Sequence, residues 1–443
     1  MAMGPVTVEA GQPALAHDAA DEVGVGVGAG ENAPADLRWF VFALFFIFGG
    51  ITSLNDVLIP KLKDLFVLSN AQVLLVQSAF FAAYFLVSIP ASMIVKRAGY
   101  MRTAVVGLLA MTAGCLMFIP AASSGVFGAF LLALFVLASG ITIVQVVANP
   151  LISMLGAPET ASSRLTFAQA FNSLGTTVFP YVGSILILGT LASIDPSTLS
   201  GPALDAFRAE ESRVVVHTYI GLAIALVIVA GAVWWRRNRL REETADAIDV
   251  GAAFGLLRRP RFAFGTLGIF LYVGAEVTIG SLMVLYLAQA DTLAIGHESA
   301  GKLVAWYWGG AMVGRFIGAA LLRLFAPGKV LAFVASMAIL LLALSASTAG
   351  TVSGWSLIAV GLFNSIMFPT IFSLGCEGLG RRAADGSGVI CMAIVGGAIL
   401  PPIAGWVSDV ATLRAALIVP AIGYVGIVAF ALFCARRPVV QPA

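Results

Sequence analysis

The side chains able to do chemistry inside the apolar stretches of this sequence fall in rows. Gln145 and Asn149 stand four apart, Gln169, Asn172 and Thr176 are spaced by three and four, and Gln77 and Tyr84 lie seven apart. On helices, each of these groups shares one face. Amides both donate and accept hydrogen bonds, so such rows would line a cavity suited to an uncharged polyol with many hydroxyls. The same rows would also serve as interhelical glue, worth about 0.6 kcal/mol per bond. Two acids interrupt apolar runs: Asp56 in FIFGGITSLNDVLIPKLKDLF and Glu276 in VGAEVTIGS. An ionisable group at a bilayer centre costs roughly 2.5 to 3.5 kcal/mol, which makes each a candidate for function. Asp56 is either a hydrated carboxylate at the outer interface or a cavity carboxylate whose pKa lets it carry a proton. Glu276 either binds substrate or pairs with an amide or a basic group as structure. Asn364 is a candidate hydroxyl partner. Trp308, beside Trp306 and Tyr307, either stacks on the apolar face of a sugar or anchors at the interface. Arg315 lies toward the basic end, where gating or latching is its expected role together with Lys96, Arg97, Arg102, Arg323 and Lys329. His17, His217 and His297 fall in tail or loops, which leaves proton transfer to carboxylates.

The elements that position these groups are set by composition. Of 443 residues, 60% are hydrophobic and 11% charged, where soluble domains carry about 25% charged residues; the mean hydropathy is +0.98. Apolar runs long enough to cross a hydrocarbon layer of roughly 30 Å recur along the chain. They predict an all-α membrane protein with twelve spans at about 38–60, 72–95, 102–121, 126–154, 165–189, 213–235, 262–288, 299–323, 329–349, 354–376, 387–408 and 414–434. Basic residues collect in the connections after even-numbered spans, among them Lys96, Arg97, Arg102, Arg323 and Lys329, while the opposite connections hold only Lys61, Lys63, Arg208, Arg213, Lys302 and Arg414. The positive-inside rule then places both termini in the cytoplasm of a multi-pass plasma (inner) membrane protein. This topology accounts for the basic residues, and with a net charge of +2 no nucleic-acid partner is expected.

Residues 1–36 are rich in Ala and Gly and lack aromatics until the first span, and they read as a disordered cytoplasmic tail with no basic n-region of a signal peptide. Residues 37–235 form a first bundle of six helices, 236–261 a charged cytoplasmic linker, 262–435 a second bundle and 436–443 a cytoplasmic tail. An internal repeat supports the two halves. PLISMLG (150–156) matches PTIFSLG (369–375), Gly175, Pro180 and Gly183 keep the spacing of Gly397, Pro402 and Gly405, and Lys96 and Arg102 keep that of Arg323 and Lys329. Two repeated six-helix halves are the plan of the major facilitator fold, with a substrate site near the midplane between them. Cys115, Cys376, Cys391 and Cys434 lie in or at the ends of spans without ligand spacing and read as packing residues, with no metal site. GxxxxGK[ST], HExxH and GxSxG are all missing from the sequence, which argues against an ATPase or a hydrolase. A gradient is the expected source of energy, and an enzyme is not expected.

LNDVLIP (54–60), VQSAFFAAYF (76–85), VVANPLISMLG (146–156), SRLTFAQAFNSLGT (163–176), YVGAEVTIGS (272–281), FPTIFSLG (368–375) and GWVSD (405–409) resemble the fucose, galactose and glucose proton symporters of the major facilitator superfamily. The resemblance runs from the first span to the last. It implies a monosaccharide substrate, a co-transported proton with no bound cofactor, and a working monomer in the bilayer. It also implies that Asp56, matching the aspartate of the family's LND segment, is the proton-linked cavity residue, and that Gln169 and Asn172 match the family's cavity amides. Gln145 departs from the fucose permease, which has a glutamate five residues before the proline of its ANP segment; glutamine binds hydroxyls but carries no proton. With YVGAEVTIGS, it looks like the glucose/galactose transporter branch, although related branches take fructose, mannose, fucose or N-acetylglucosamine, and sodium-coupled or facilitative uptake would use the same cavity.

Overall fold

The computed structural model describes residues 35–66, 70–124, 126–183, 201–238 and 250–436, and among them there is no β-strand. Each apolar run winds into helix, because a segment surrounded by hydrocarbon must satisfy its backbone hydrogen bonds internally. The first half comprises α1 (Ala35–Phe66), α2 (Asn70–Ala98), α3 (Tyr100–Ser124), α4 (Phe127–Met154), α5 (Ala161–Gly183) and α6 (Pro202–Arg236). A short helix, α7 (Val250–Gly255), precedes the second half: α8 (Pro260–Ala288), α9 (His297–Leu324) and α10 (Pro327–Ser347). The last three spans are each built in two pieces, α11 (Gly350–Asn364) with α12 (Met367–Cys376), α13 (Ala383–Met392) with α14 (Gly396–Val410), and α15 (Leu413–Ala416) with α16 (Ile418–Arg436). Proline opens α6, α8 and α10, where its missing N–H leaves no intrahelical bond unmade.

The packing repeats as the sequence does. In the first half α1 lies on α5 and α4, α3 on α4 and α6, and α2 on α4; in the second, α8 lies on α14 and α12, α10 on α11 and α16, and α9 on α11. The halves meet through α2 with α13 and α5 with α9, again a repeated pair, and through α4 with α13 and α5 with α12. Nine stretches of the described residues are long and apolar enough to span a membrane on their own account, and neither α5 nor α9 is among them. These two pack on each other between the halves, where Gln169 and Ser173 of α5 are buried and Arg315 of α9 bonds to them.

The structure departs from the sequence reading at a few boundaries. The tenth span breaks at Ser365 and Ile366, and the eleventh passes through a 3-10 turn at Ala393–Val395. The sixth span starts earlier than the expected 213: α6 begins at Pro202, so His217, grouped with the tail and loop histidines, lies well inside the helix. The linker is partly folded: α7 packs on α13, and Ala253 and Leu256 are buried. Glu377, just past the end of α12, is half-buried and paired with Arg261, whose Nε also donates to the Leu374 carbonyl at 2.9 Å and so caps α12. Burial pushes the Glu377 carboxyl above the usual carboxylate range, against the opposing pull of Arg261. Residues 1–34 and 437–443, most of both predicted tails, lie outside the described residues.

The α1–α5 contact depends on Gly175, where an added Cβ would run into the Phe46 carbonyl. Gly175→Ala is expected to push the helices apart and cost about 1 to 3 kcal/mol in unfolding of the detergent-solubilised protein. Gly221→Ala, at a helical position with open space around it, is the control that should leave stability unchanged or raised.

Candidate functional site

In the first half the amide row of α4 is buried where α4 meets α13. Gln145 and Asn149 are both buried, and Gln145 Oε1 and both amide atoms of Asn149 make no hydrogen bond of ordinary geometry. Asn149 lies beside the thiol of Cys391 on α13. Polar groups left this way cost about 1 to 3 kcal/mol each, so they are poised for a hydroxyl or a water. On α5, Gln169 is buried, but Asn172 Nδ2 donates to the Phe45 carbonyl at 3.3 Å and Thr176 Oγ1 to the Ser173 carbonyl at 2.8 Å. Asn172 therefore joins α5 to α1 with at least part of its amide. Tyr84 is buried against Phe80, ring centroids 5.5 Å apart. Asp56 falls on α1 and Gln77 on α2, and the side chains of both lie outside the described residues.

The second half holds a connected polar network. Asn364, at the end of α11, donates from Nδ2 to the Tyr307 hydroxyl at 2.8 Å and accepts at Oδ1 from the Tyr424 hydroxyl at 2.7 Å. It is fully buried with both ends of its amide occupied, so in this arrangement it holds tyrosines rather than offering itself to a ligand. The Tyr272 hydroxyl lies 2.7 Å from Glu276 Oε1 and 3.1 Å from the Asn364 carbonyl oxygen. Glu276 is half-buried at the open end of this chain. Trp306 and Trp308 are exposed, with the Trp308 ring edge-on to Tyr307 at 5.0 Å.

Arg315 connects this network to the other half. Its Nε donates to the Ser365 carbonyl at 3.2 Å, and its Nη1 reaches the Gln169 carbonyl at 3.4 Å and Ser173 Oγ on α5. Ser365 O is available because Pro369, four residues on, has no N–H to give it. Nearer the basic end, Lys96 Nζ of α2 meets Asp385 Oδ2 of α13 at 2.7 Å, with the two side chains only 11% and 4% exposed. The repeat-related position on the other side carries Arg323, whose Nε lies 3.3 Å from Ser163 Oγ, while Ser163 donates to the Ala319 carbonyl at 2.6 Å. Ser387 Oγ donates to the Val146 carbonyl at 2.8 Å, and Gly388 lets α13 lie against Ser92. The halves are thus clasped from the basic end to about mid-depth. Arg97, Arg102 and Lys329, grouped with Lys96, Arg315 and Arg323 as gating residues, are exposed.

This arrangement of two repeated helical halves around buried polar groups defines a membrane transporter of the rocking type. The chain matches the family model of the Major Facilitator Superfamily over residues 40–394 and belongs to that family. It is 47% identical over 389 residues to the glucose/galactose transporter of Brucella abortus, covering 88% of this chain and 92% of that one. It is 33% identical over 404 residues to the L-fucose-proton symporter of Escherichia coli, covering 88% and 91%. The crystal structure of the transporter FucP in the outward conformation superposes with a TM-score of 0.83 at 32% identity, covering 90% of this chain and 98% of that one.

Sequence reasoning missed Asp385, and the repeat held the clue to it. Asp385 stands as far before Gly397 as Ser163 stands before Gly175, so Lys96 with Asp385 and Arg323 with Ser163 are two copies of one joint. Tyr272 and Tyr424 carried no sequence signal, because tyrosine in a span reads as an interface anchor. Removing one partner of a buried ion pair costs about 3 to 5 kcal/mol. Lys96→Gln is therefore expected to loosen the clasp and speed alkylation of the buried Cys391 in a background whose other cysteines are Ala. The exchanged pair Lys96→Asp with Asp385→Lys should restore protection; an unchanged alkylation rate in Lys96→Gln would show that the pair does not hold the halves together.

Proposed function

We propose that this chain is a secondary transporter that imports a neutral hexose, glucose or galactose, in symport with a proton. The observation that carries this reading is the pair of buried amides on α4, Gln145 with its Oε1 unpaired and Asn149 beside the Cys391 thiol, set between repeat-related halves in a chain 47% identical to a glucose/galactose transporter. Gln145, Asn149, Gln169 and Gln77 meet sugar hydroxyls as donors and acceptors, with Asn172 and Asn364 shaping the walls and Trp308 giving the sugar an apolar face. Asp56 takes the proton from the outside, and occupation by both proton and sugar permits rocking of the halves. No bound cofactor is involved.

The excess of basic residues puts the clasped end in the cytoplasm of an inner-membrane protein, with both termini on that side. A clasp of buried charge and hydrogen bonds at that end corresponds to an outward-facing state, and Lys96, Arg315 and Arg323 are the groups that must let go for sugar to leave inward. The two bundles at 37–235 and 262–435 act as the rocking bodies, the linker at 236–261 joins them, and one chain is the working unit. Proton entry down 100 mV supplies roughly 2.3 kcal/mol, about a fifty-fold sugar gradient at one proton per sugar.

The test is sugar-induced alkalinisation of the medium around energy-starved cells expressing the protein, with glucose, galactose, fructose, mannose, fucose and N-acetylglucosamine in turn. An alkaline shift is expected with glucose or galactose. Asp56→Asn should abolish it, and abolish accumulation, while exchange of labelled sugar continues. Labelled sugar entering with no shift would remove the proton from the proposal, and full accumulation by Asp56→Asn would remove Asp56 from it.

A further inference from the structure

Tyr272 has one hydroxyl proton and two acceptors within reach, Glu276 Oε1 at 2.7 Å and the Asn364 carbonyl at 3.1 Å. A phenol donates once and can accept at the same time. With Glu276 ionised, the phenol donates to the carboxylate. With Glu276 neutral, the acid donates its own O–H to Tyr272 Oη and the phenol proton turns to the Asn364 carbonyl. Each form of the acid thus keeps its hydrogen bond to Tyr272 with no movement of heavy atoms. The carbonyl is held in place because the Asn364 side chain is fastened at both ends, to Tyr307 and Tyr424. A carboxylate serving only as structural glue needs one such partner arrangement, not two.

The charge around Glu276 is equally two-sided. The ionisable groups that face it are Tyr272 on its own helix, Arg315 and Tyr307 on α9 and Tyr424 on α16. From α12 and α14, which also pack on α8, no ionisable group among the described residues stands out beside it. Arg315 is the facing positive charge, and the same guanidinium reaches across to Ser173 and Gln169 of α5.

We propose that Glu276 is a proton-binding site in the second half of the transporter, with Tyr272 as the positioning residue that serves its charged and neutral forms and Arg315 as the counter-charge that reports its state to α5. This deepens the proton-coupled reading above and rests on it. A proton arriving from the cavity binds a Glu276 carboxylate oxygen, and the only other change is rotation of the Tyr272 hydrogen from Glu276 to Asn364, so one proton is bound in all. Arg315 then loses its facing negative charge and is left to its acceptors on α5 and at the α11–α12 break. Occupancy of Glu276 is thereby felt at the α5–α9 joint between the halves.

Infrared difference spectra of the carboxyl stretch, recorded through a pH titration of the protein in lipid vesicles without sugar, test the assignment. A protonated-carboxyl band is expected to grow in as the pH falls, to be missing in Glu276→Gln and to move in frequency in Tyr272→Phe, where the acid has lost its phenol partner. Glu276→Asp, which keeps an acid, should move the band rather than delete it, and this identifies the group even if the Gln variant folds poorly. A band kept unchanged through Glu276→Gln and Glu276→Asp, or no band from this site in the wild-type protein, would overturn the proposal. The measurement needs no sugar, so its failure is separate from failure of the transport reading, which wild-type uptake decides.

Discussion

Hydrocarbon offers no hydrogen bonds, and a polar group left alone in it costs several kcal/mol. The whole molecule is arranged around that constraint. Backbone groups are satisfied inside the helices, and small hydroxyls bond back onto their own helix, as Thr142 does to the Ala138 carbonyl at 2.8 Å and Thr278 to the Gly274 carbonyl at 2.7 Å. The larger polar groups are withdrawn to surfaces where helix meets helix or half meets half. Among the described residues, Gln145 Oε1 is one of the buried polar atoms left without a partner at a surface between the halves. Gln145 and Asn149 stand where α4 faces α13, so the candidate site and the joint between the halves share one buried surface.

The two halves share a packing plan and divide the chemistry. The first half presents amides; the second presents a tyrosine network anchored on Asn364 and ending in Glu276. The break between α11 and α12 makes the second possible. Pro369 withholds one backbone donor, and Arg315 takes the carbonyl that is left. The joints at the basic end show the same division: one copy is a buried ion pair, Lys96 with Asp385, and its repeat-related copy is an arginine on a serine hydroxyl. An ion pair buried on one side and a neutral acceptor on the other give the two sides of the clasp different strengths, so symmetry in packing coexists with a bias in how the halves separate.

Much of this could be read without coordinates. Hydropathy marked nine of the spans outright among the described residues, because length and apolarity are what a bilayer demands, while α5 and α9 fall short of that mark and are placed by their packing between the halves. The internal repeat announced two halves, and the four-residue spacing of Gln145 and Asn149 put them on one face. The pairing of Glu377 with Arg261 was not legible, since it depends on where helix ends fall rather than on composition. Asp385 was overlooked: only its repeat relation to Ser163 hinted at a joint, and it is folding that brings Lys96 from the opposite half against it.

The sequence by itself determined that the chain crosses a membrane as helices in two repeated sets, and which polar side chains had to be withdrawn from lipid. These follow from local periodicity and transfer energies, which are properties of each segment alone. Only the tertiary structure decided where each withdrawn group went: Asn364 to two tyrosines, Asn172 to the backbone of α1, Arg315 across to α5. The partner of a buried polar group is chosen by packing between segments far apart in the chain, from 57 residues for Asn364 with Tyr307 to 142 for Arg315 with Ser173. No local pattern encodes that choice, because several partners would satisfy the same hydrogen bond equally well and only the geometry of the assembled halves selects among them.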